Sequence, residues 1–480
     1  MSIESDYWGS LAGRFPCGRV QKGIRNRRDF LKKVGAGFGS LALLDLLAQD
    51  QILATSTPSI ASNFHHRPMA KSVIWLFMEG GPSAVDTFDP KPELTRHDGL
   101  QPSMPMDVFF GSPGPLMKSP FNFRQYGESG TWVCDRMPHI AQQVDNLALI
   151  KSCFAESPAH GPAMYQMNTG FIRTGYPSAG AWLTYGLGSE NRNLPGFVVL
   201  QNSRGSKGGA NNWSSGFLPS EYQGTPFRAK GIPILNLNRP DGIDDARQRR
   251  MLDFARDLNL SHASQHSQDA ELLGRIESYE LAYRMQTEAT DAVDLSKEPV
   301  SIHKLYGLDQ EVTRPYGEKC LLARRLVERG VRFVQVYCDD EWDSHSGLKD
   351  QHSQRMLETD QPVAALLADL KQRGLLDETL VVWGGEFGRM PVSEKGDGRD
   401  HNPHGFLIWM AGGGIRGGVH HGELDEIGWK AAANPASVHD VHATILHCLG
   451  LDHERLTYLH NGRNMRLTDV SGDVIRSVLA

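Results

Sequence analysis

The chain has 480 residues, of which 40% are hydrophobic and 22% are charged, enough to bury a large core in one big domain or two. Fifty Lys and Arg residues stand against 56 Asp and Glu residues, and the resulting net charge of -6 argues against the basic surface that nucleic-acid binding usually requires. We therefore expect a globular protein that does not bind nucleic acid.

The N-terminal part of the chain, residues 1–60, differs from the rest. The basic segment 25–33 precedes a mostly small and apolar stretch at 34–48. Only about ten to fifteen apolar residues follow where a bilayer span needs about twenty, so the pattern predicts a signal and linker rather than a stable membrane span. Arg27-Arg28 followed by Asp-Phe-Leu-Lys resembles a twin-arginine signal, which predicts engagement of the twin-arginine export machinery and a periplasmic or cell-surface location. A basic amphipathic helix is the alternative.

After this leader, short apolar runs alternate with helical patterns. Runs rich in β-formers and bounded by turn residues predict strands that are buried on both faces of a parallel sheet. The predicted strands are Ser72–Met78, Leu147–Lys151, Gly196–Leu200, Val331–Cys338 and Thr379–Trp383. The clearest helical patterns are Ala163–Thr169, Glu318–Arg329 and Met356–Arg373. This alternation predicts a doubly wound, mostly parallel α/β sheet with helices on both faces.

The alternation breaks at about 203–297. A Gly-, Asn- and Ser-rich stretch there leads into a long charged helical segment, roughly 244–290. Long insertions into α/β domains commonly gather over the active face, so we expect a cap-like helical and loop insertion within one α/β domain at 68–480.

Six cysteines are scattered along the chain without any C-x-x-C pair. Neither a zinc ribbon nor a thioredoxin-like site is therefore predicted. The cysteines could be buried thiols or could form one or two disulfides, and the sequence leaves both alternatives open.

Polar groups cluster in four segments that lie at the predicted strand ends. Ligands and catalytic groups of open α/β sheets sit where the parallel strands end. A mixed set of carboxylates and imidazoles at that edge is typical of a site for a divalent metal such as zinc, manganese or calcium. The predicted metal ligands are Glu79, Asp343, His345, Glu386, His401 and His404.

Other residues of the same segments are candidates for catalysis and substrate binding. Arg389 is predicted to hold an anion, and His160 is predicted to act as a nucleophile or general base. Ser83, Asp86 and Lys91 are predicted to bind substrate. Each prediction has a structural alternative, since Asp86 or His160 could cap a helix.

Five short motifs carry a family resemblance that runs from about Lys71 to the C-terminus. They are Gly80–Ser83, Trp342–His345, Gly385–Arg389, Gly398–His401 and Ala411–Gly418. Together they resemble the exported domain-of-unknown-function family 1501, which is itself similar to sulfatases and the wider alkaline phosphatase superfamily. The resemblance implies a sulfatase-like α/β fold and an exported, metal-dependent hydrolase of sulfate or phosphate esters, with a small-molecule or polysaccharide ester as substrate.

The resemblance also shows where this chain departs from the superfamily. Glu79 and Glu386 stand in the places of metal-binding Asp residues, whereas Phe387 stands where a ligand His is expected. His160 stands where sulfatases carry Cys or Ser, so the formylglycine precursor is absent. These departures favour a second hypothesis, a non-catalytic relative that binds an anionic glycan or joins a cell-surface assembly.

Overall fold

The computed structural model describes residues 64–480 except 110, 229–233, 235–238, 240–241, 266–269 and 395. The predicted signal and linker at 1–60 lie outside the described residues, so the twin-arginine signal stays a prediction. Within the described part of the chain, no helix is long and apolar enough to span a bilayer.

Strands and helices alternate along the described chain. The strands are β1 (Ser72–Phe77), β2 (Phe123–Tyr126), β3 (Thr131–Cys134), β4 (Leu147–Phe154), β5 (Phe197–Leu200), β6 (Thr225–Phe227), β7 (Phe333–Tyr337), β8 (Thr379–Gly384), β9 (Gly388–Ser393), β10 (Arg399–Asn402), β11 (Phe406–Gly412), β12 (Val419–His421), β13 (Glu423–Leu424), β14 (Ala431–Ala433), β15 (Ala436–Ser437), β16 (Tyr458–His460) and β17 (Arg463–Met465). The α-helices are α1 (Ala84–Thr87), α2 (Pro92–Arg96), α3 (His160–Thr169), α4 (Ala179–Leu187), α5 (Asp245–Gln265), α6 (Ala270–Val293), α7 (Val300–Leu305), α8 (Arg314–Glu328), α9 (Leu348–Gln372) and α10 (Val438–Cys448).

A nine-stranded sheet organises the described chain. Its strands follow the order β12-β4-β11-β8-β1-β7-β5-β6, and β15 pairs with one end of β4. β11 runs antiparallel to both of its neighbours, β4 and β8, while the other pairings are parallel. The predicted mostly parallel α/β sheet is therefore confirmed.

Helices cover both faces of this sheet, as β1 illustrates. Successive side chains of a strand point to opposite faces. Ile74 and Leu76 enter a core that includes residues of α8 and α9, whereas Trp75 and Phe77 enter a second core that includes residues of α4 and α10. β1 is buried along its whole length, which explains why it reads as an unbroken apolar run.

The insertion at about 203–297 contains the predicted charged helical segment as α5 and α6. It also contains β6, which extends the central sheet beside β5. Met285, Ala289 and Ala292 of α6 are buried in the core that contains α8. The insertion therefore packs partly against the helical layer of the main domain, and its function as a cap stays a prediction.

The described cysteines are buried free thiols. They are Cys134, Cys153, Cys320, Cys338 and Cys448. Burial raises the pKa of the Cys134 and Cys448 thiols to about 12. For these five positions the structure favours the buried-thiol alternative.

Candidate metal centre

Three neighbouring parallel strands deliver the predicted ligands to one edge of the sheet. Phe77, near the end of β1, pairs with Tyr337 of β7 on one side and with Gly384 of β8 on the other. Glu79, the 339–345 segment and Glu386 therefore leave the sheet together, at its carboxyl edge.

The turn after β1 depends on glycine. Gly80 has a φ of +104°, and a Cβ added there would lie 2.6 Å from the backbone N of Trp342 and 2.7 Å from that of Asp343. The backbone of the 342–343 segment can thus approach β1 only because residue 80 lacks a side chain. This close approach brings Asp343 beside the two glutamates.

Glu79 and Glu386 form a buried acidic pair, each with 0% of its surface exposed. The Gly80 N–H donates to both carboxylate oxygens of Glu386, at 3.0 and 3.1 Å. Glu79 accepts hydrogen bonds from the backbone N–H of Lys207 at 2.6 Å and from Asn202 Nδ2 at 3.3 Å. Burial, together with the nearby charge of Glu386, raises the pKa of Glu79 to about 7.

The Asp343 carboxylate lies among three imidazoles. Its Oδ2 is 3.0 Å from His160 Nε2, and its Oδ1 is 2.9 Å from His345 Nε2 and 3.2 Å from His401 Nε2. Burial favours a higher pKa for Asp343, but the hydrogen bonds from these imidazoles outweigh it and hold that pKa far below its usual range. Asp343 is therefore ionised, and its carboxylate contacts ring nitrogens of three histidines.

His160, the first residue of α3, links Asp343 to the buried pair. Its Nδ1 lies 2.7 Å from Glu386 Oε1, while its Nε2 contacts Asp343. Burial alone would lower the pKa of His160, but its hydrogen bonds to the two carboxylates outweigh burial and raise this pKa to about 9. The ring carries a proton in this arrangement, because two carboxylates stabilise the imidazolium.

Phe387, the departure noted in the sequence, packs against the imidazoles of the site. Its ring centroid lies 4.5 Å from that of His401 in a stacked arrangement and 5.0 Å from that of His160. Phe387 therefore supplies an apolar ring that packs against two imidazoles of the site.

Arg389 reaches the site, but its guanidinium makes internal contacts. Its Nε donates to Gly81 O at 3.1 Å and its Nη1 to Arg399 O at 3.0 Å, while its Nη2 donates to Gly80 O and, at 2.7 Å, to Asp343 Oδ1. The side chain is fully buried. Arg389 therefore positions the Gly80 turn and Asp343, and this placement does not favour the predicted contact with a substrate anion.

Lys207 is a cation of the site that the sequence did not single out. Its Nζ lies 3.0 Å from Asp343 Oδ2 and 2.7 Å from Glu341 Oε2, and 32% of its side chain is exposed. It belongs to the Gly- and Ser-rich stretch at the start of the insertion. The one sequence signal that could have identified Lys207 is the presence of a lysine within this Gly- and Ser-rich stretch.

Two groups of possible ligand atoms occur at the site, and in each group these atoms lie within 4.8 Å of one another. His160, Asp343 and His401 form the first group; His345, Glu394 and Asp400 form the second. Glu394 and Asp400 were not among the predicted ligands. A cleft of about 360 Å³ opens beside both groups, with Phe109 and Ala159 completing its lining.

The donor set fits a divalent cation. Imidazole nitrogens and carboxylate oxygens together suit zinc or manganese, whereas calcium prefers six to eight oxygen ligands. The buried pair, Glu79 and Glu386, places further negative charge next to His160. A cation would offset this charge, since buried carboxylates are costly without a partner.

The predicted ligand His404 lies apart from these groups. Its side chain is exposed, and its ring packs edge-on against Trp429 with centroids 6.1 Å apart. Its backbone N–H donates to Asn402 Oδ1. His404 belongs to neither ligand group, so its placement does not favour metal binding.

Ser83, Asp86 and Lys91, predicted to bind substrate, make structural contacts. Ser83 Oγ donates to Asp86 Oδ2 at 2.5 Å, and Arg399 donates to both oxygens of Asp86, at 2.7 and 3.2 Å. Lys91 Nζ pairs with Asp89 at 2.9 Å. Because Ser83 and Asp86 are fully buried, we assign them to holding the loop after β1.

Several solved structures are similar to this chain. The PsFucS1 sulfatase from Pseudoalteromonas sp. is 13% identical, with a TM-score of 0.36 over 81% of this chain and 69% of that one. The phosphonate monoester hydrolase SpPMH from Silicibacter pomeroyi is 13% identical, with a TM-score of 0.34 over 69% and 72%. The alkaline phosphatase from the Antarctic bacterium TAB5 is 10% identical, with a TM-score of 0.31 over 72% and 92%.

Comparison at the level of sequence gives a firmer result. Among curated proteins, none matches this chain. The model of a family described as "Protein of unknown function (DUF1501)" matches residues 70–479. This match extends over nearly all of the α/β domain and includes every residue of the candidate centre. The chain therefore belongs to the DUF1501 family.

Proposed function

We propose that this protein is an exported, metal-dependent hydrolase of sulfate or phosphate esters that acts on a small-molecule or polysaccharide ester. One observation carries the proposal. Carboxylates and imidazoles from four distant segments converge at the carboxyl edge of the sheet, beside an open cleft. Buried acidic and imidazole groups of this kind, gathered in a cleft, are typical of a catalytic metal site.

Each residue of the site has a task in this proposal. Asp343, His345 and His401 would hold the metal, since the facing atoms of these three side chains lie 2.9–3.2 Å apart, with Glu79 and Glu386 supplying negative charge behind them. A divalent cation bound there would polarise an ester oxygen and stabilise the charge that develops on it. Lys207 binds the anionic ester, since it combines a position beside Asp343 with an exposed fraction.

His160 is the acid–base group in this proposal. It lines the cleft, and its two ring nitrogens contact Glu386 and Asp343. An imidazole held between two carboxylates in a cleft can pass a proton to or from a reacting oxygen. Arg389 acts on the reaction through Asp343, whose carboxylate it holds in place.

The test compares two histidines of the same loop. The metal content of the purified protein is measured together with its turnover of aryl sulfates and aryl phosphates. We expect stoichiometric metal and turnover in the wild type, and the loss of both in His401→Ala. His404→Ala is the matched control, since His404 is exposed and outside the ligand groups. A metal-free and inert wild-type protein would rule the proposal out.

A binding protein without turnover is the second candidate. The described lining of the cleft, Phe109, Ala159, His160, Asp343, His345, Glu394 and His401, includes no Ser, Thr or Cys nucleophile. This observation favours a site that holds an anionic glycan and leaves its ester intact. The same measurements separate the two candidates, because binding of a sulfated oligosaccharide without release of sulfate supports the second.

A further inference from the structure

α5 turns a polar side toward α6, its neighbour in the insertion. Arg249 of α5 donates to both carboxylate oxygens of Glu280 of α6, at 2.6 and 2.9 Å. The Arg249 guanidinium also lies 5.0 Å from the centroid of the Tyr283 ring, and the Tyr283 hydroxyl donates to Asp245 Oδ1 at 3.0 Å. Asp245 and Arg249 are four residues apart and share one side of α5. Ion pairs and hydrogen bonds therefore hold this side against α6.

The opposite side of α5 carries three large apolar residues. Met251, Phe254 and Leu258 are 54%, 71% and 61% exposed. Their spacing of three and four residues places them in one stripe along the helix. With 3.6 residues per turn, this stripe lies roughly half a turn around the helix from Asp245 and Arg249. Amphipathic helices normally turn their apolar stripe inward, so the reverse arrangement in α5 indicates a partner that covers the stripe.

The charges beside the stripe indicate what that partner is. In the heptad pattern of paired helices, Met251 and Leu258 take position a, and Phe254 takes position d. Arg250 and Asp257 both take position g on one edge of the stripe, and both are exposed. When two identical helices pair antiparallel, position g of one copy faces position g of the other. Arg250 of each copy then faces Asp257 of the other, while Met251 packs against Phe254.

Other partners fit this edge of α5 less well. In a parallel pair position g faces position e, so Arg250 would face Ala255 and form no ion pair. On an anionic membrane surface the carboxylate of Asp257 would be repelled. The present contact of Asp257, with Arg256 of the same helix at 3.4 Å, is a solvent-exposed pair that contributes little. A second copy in the antiparallel direction therefore fits the stripe best.

We propose that α5 joins two copies of this chain in an antiparallel helix pair about a two-fold axis. Met251, Phe254 and Leu258 would form the apolar seam, and two ion pairs between Arg250 and Asp257 would flank it. The stripe covers only about two turns of helix, so the association is weak and depends on concentration. It is independent of the proposed function, since the residues of the candidate centre lie outside α5.

Sedimentation velocity of the purified protein, at concentrations from about 1 to 300 µM, tests the proposal in the range where small interfaces associate. We expect the sedimentation coefficient of the wild type to rise toward that of a dimer. Phe254→Gln should weaken association at least about tenfold and leave the thermal midpoint unchanged, because the ring is exposed in the single copy. Leu459→Gln on β16 is the matched control, since Leu459 is 68% exposed and outside the stripe. Its association should equal that of the wild type.

Reversal of the flanking charges tests the antiparallel arrangement. Arg250→Asp and Asp257→Arg each place like charges opposite one another, so each variant alone should associate at least about tenfold more weakly than the wild type. An equimolar mixture of the two should associate as the wild type does, because one copy then presents two carboxylates to two guanidinium groups of the other. A fault in the folding of either variant would not produce this recovery.

A wild type that sediments as a monomer over the whole range would overturn the proposal, as would a mixture that associates no better than its two components. A monomeric wild type that co-sediments with vesicles containing phosphatidylglycerol would assign the stripe to a membrane surface and would likewise overturn it. Metal content and turnover decide the proposed function separately, since substitutions on α5 leave the candidate centre intact.

Discussion

Besides the imidazoles, Asp343 contacts an arginine and a lysine, which differ in their exposure to solvent. The guanidinium of Arg389 is buried and bonded to backbone carbonyls, whereas the ammonium of Lys207 keeps 32% of its side chain exposed. A side chain that binds a substrate must be accessible to the solvent from which the substrate comes. Of these two residues, Lys207 is accessible and Arg389 is not. We therefore propose Lys207, rather than Arg389, as the residue that binds the substrate anion.

This assignment predicts a change in KM. Lys207→Gln should raise the KM for an aryl sulfate or phosphate roughly tenfold, the effect of removing one charge-assisted hydrogen bond. The backbone N–H of Lys207 still donates to Glu79 in the variant, so the loop should hold its position. Lys91→Gln is the control, because Lys91 pairs with Asp89 and its KM should match that of the wild type. An equal KM in Lys207→Gln and the wild type would contradict the assignment.

His442 makes stability depend on pH. It is fully buried on α10, its Nε2 lies 2.9 Å from Met167 O, and burial lowers its pKa to about 3. In the unfolded chain the pKa of a histidine is about 6.5, so between these values the unfolded state binds more protons. Stability should therefore fall as the pH falls below about 6.5, by about 1.4 kcal/mol per pH unit for this residue.

His442→Phe isolates this contribution. The variant should lose about 1 kcal/mol at pH 7, because Met167 O loses its hydrogen bond. Between pH 4 and 6 its unfolding free energy should decline less steeply than that of the wild type, by up to about 1.4 kcal/mol per pH unit. Denaturant unfolding at several pH values measures both slopes. Equal slopes would mean that His442 is not the group that titrates.

At the scale of elements, α10 is joined to the sheet by a reciprocal cap. Ser437 Oγ accepts from the backbone N–H of Asp440 at 3.2 Å, and Asp440 Oδ2 accepts from the backbone N–H of Ser437 at 2.7 Å. Ser437 also ends β15, which pairs with β4. This capping box therefore fixes where the sheet ends and the helix begins.

Removing the cap should cost stability. Ser437→Ala should lower the free energy of unfolding by about 1 kcal/mol, because the helix loses a partner for one N-terminal N–H group. Ser471→Ala is the comparison, because Ser471 is exposed and its hydroxyl makes no hydrogen bond among the described residues, so this variant should lose little stability. Thermal or denaturant unfolding gives both values. An equal loss in the two variants would show that the cap is not stabilising.

The elements also show what sequence patterns reveal. β1, β7 and β8 were predicted because a strand buried on both faces must be apolar throughout, and this leaves an unmistakable run. β11 was not among the strands predicted from apolar runs. Its direction could not have been predicted either, because an apolar run does not show orientation and the pairing with β4 and β8 sets it.

The candidate centre was predictable to a similar degree. Residues directly after strands, such as Glu79 and Glu386, are placed by the sheet itself and could be anticipated. Glu394 follows β9, a strand outside the central sheet that the sequence analysis did not predict. Lys207 lies in a loop whose course depends on contacts far along the chain, and no local pattern marks it. The same holds for His404, which lies three residues after His401 and yet outside the ligand groups.

At the scale of the whole molecule, the buried thiols predict how the protein reacts with a thiol reagent. Five of the six cysteines are buried free thiols in the described chain, and burial raises their pKa values. The native protein should therefore expose at most the thiol of Cys17, whereas all six should react after denaturation without reductant. Titration with a chromogenic disulfide reagent counts them. Fewer than six in the denatured full-length protein, its intact N-terminus confirmed by mass spectrometry, would reveal a disulfide.

The hydrogen bond from Gly80 to Glu386 joins residues that are 306 positions apart in the chain. In a newly made, unfolded polypeptide these residues are far apart. Their carboxylates and imidazoles therefore cannot bind one ion together before the sheet has formed. In the proposed function, acquisition of the ion would therefore follow assembly of the sheet. The compartment in which this chain finishes folding, through the ions available there, would decide which element the mature protein carries.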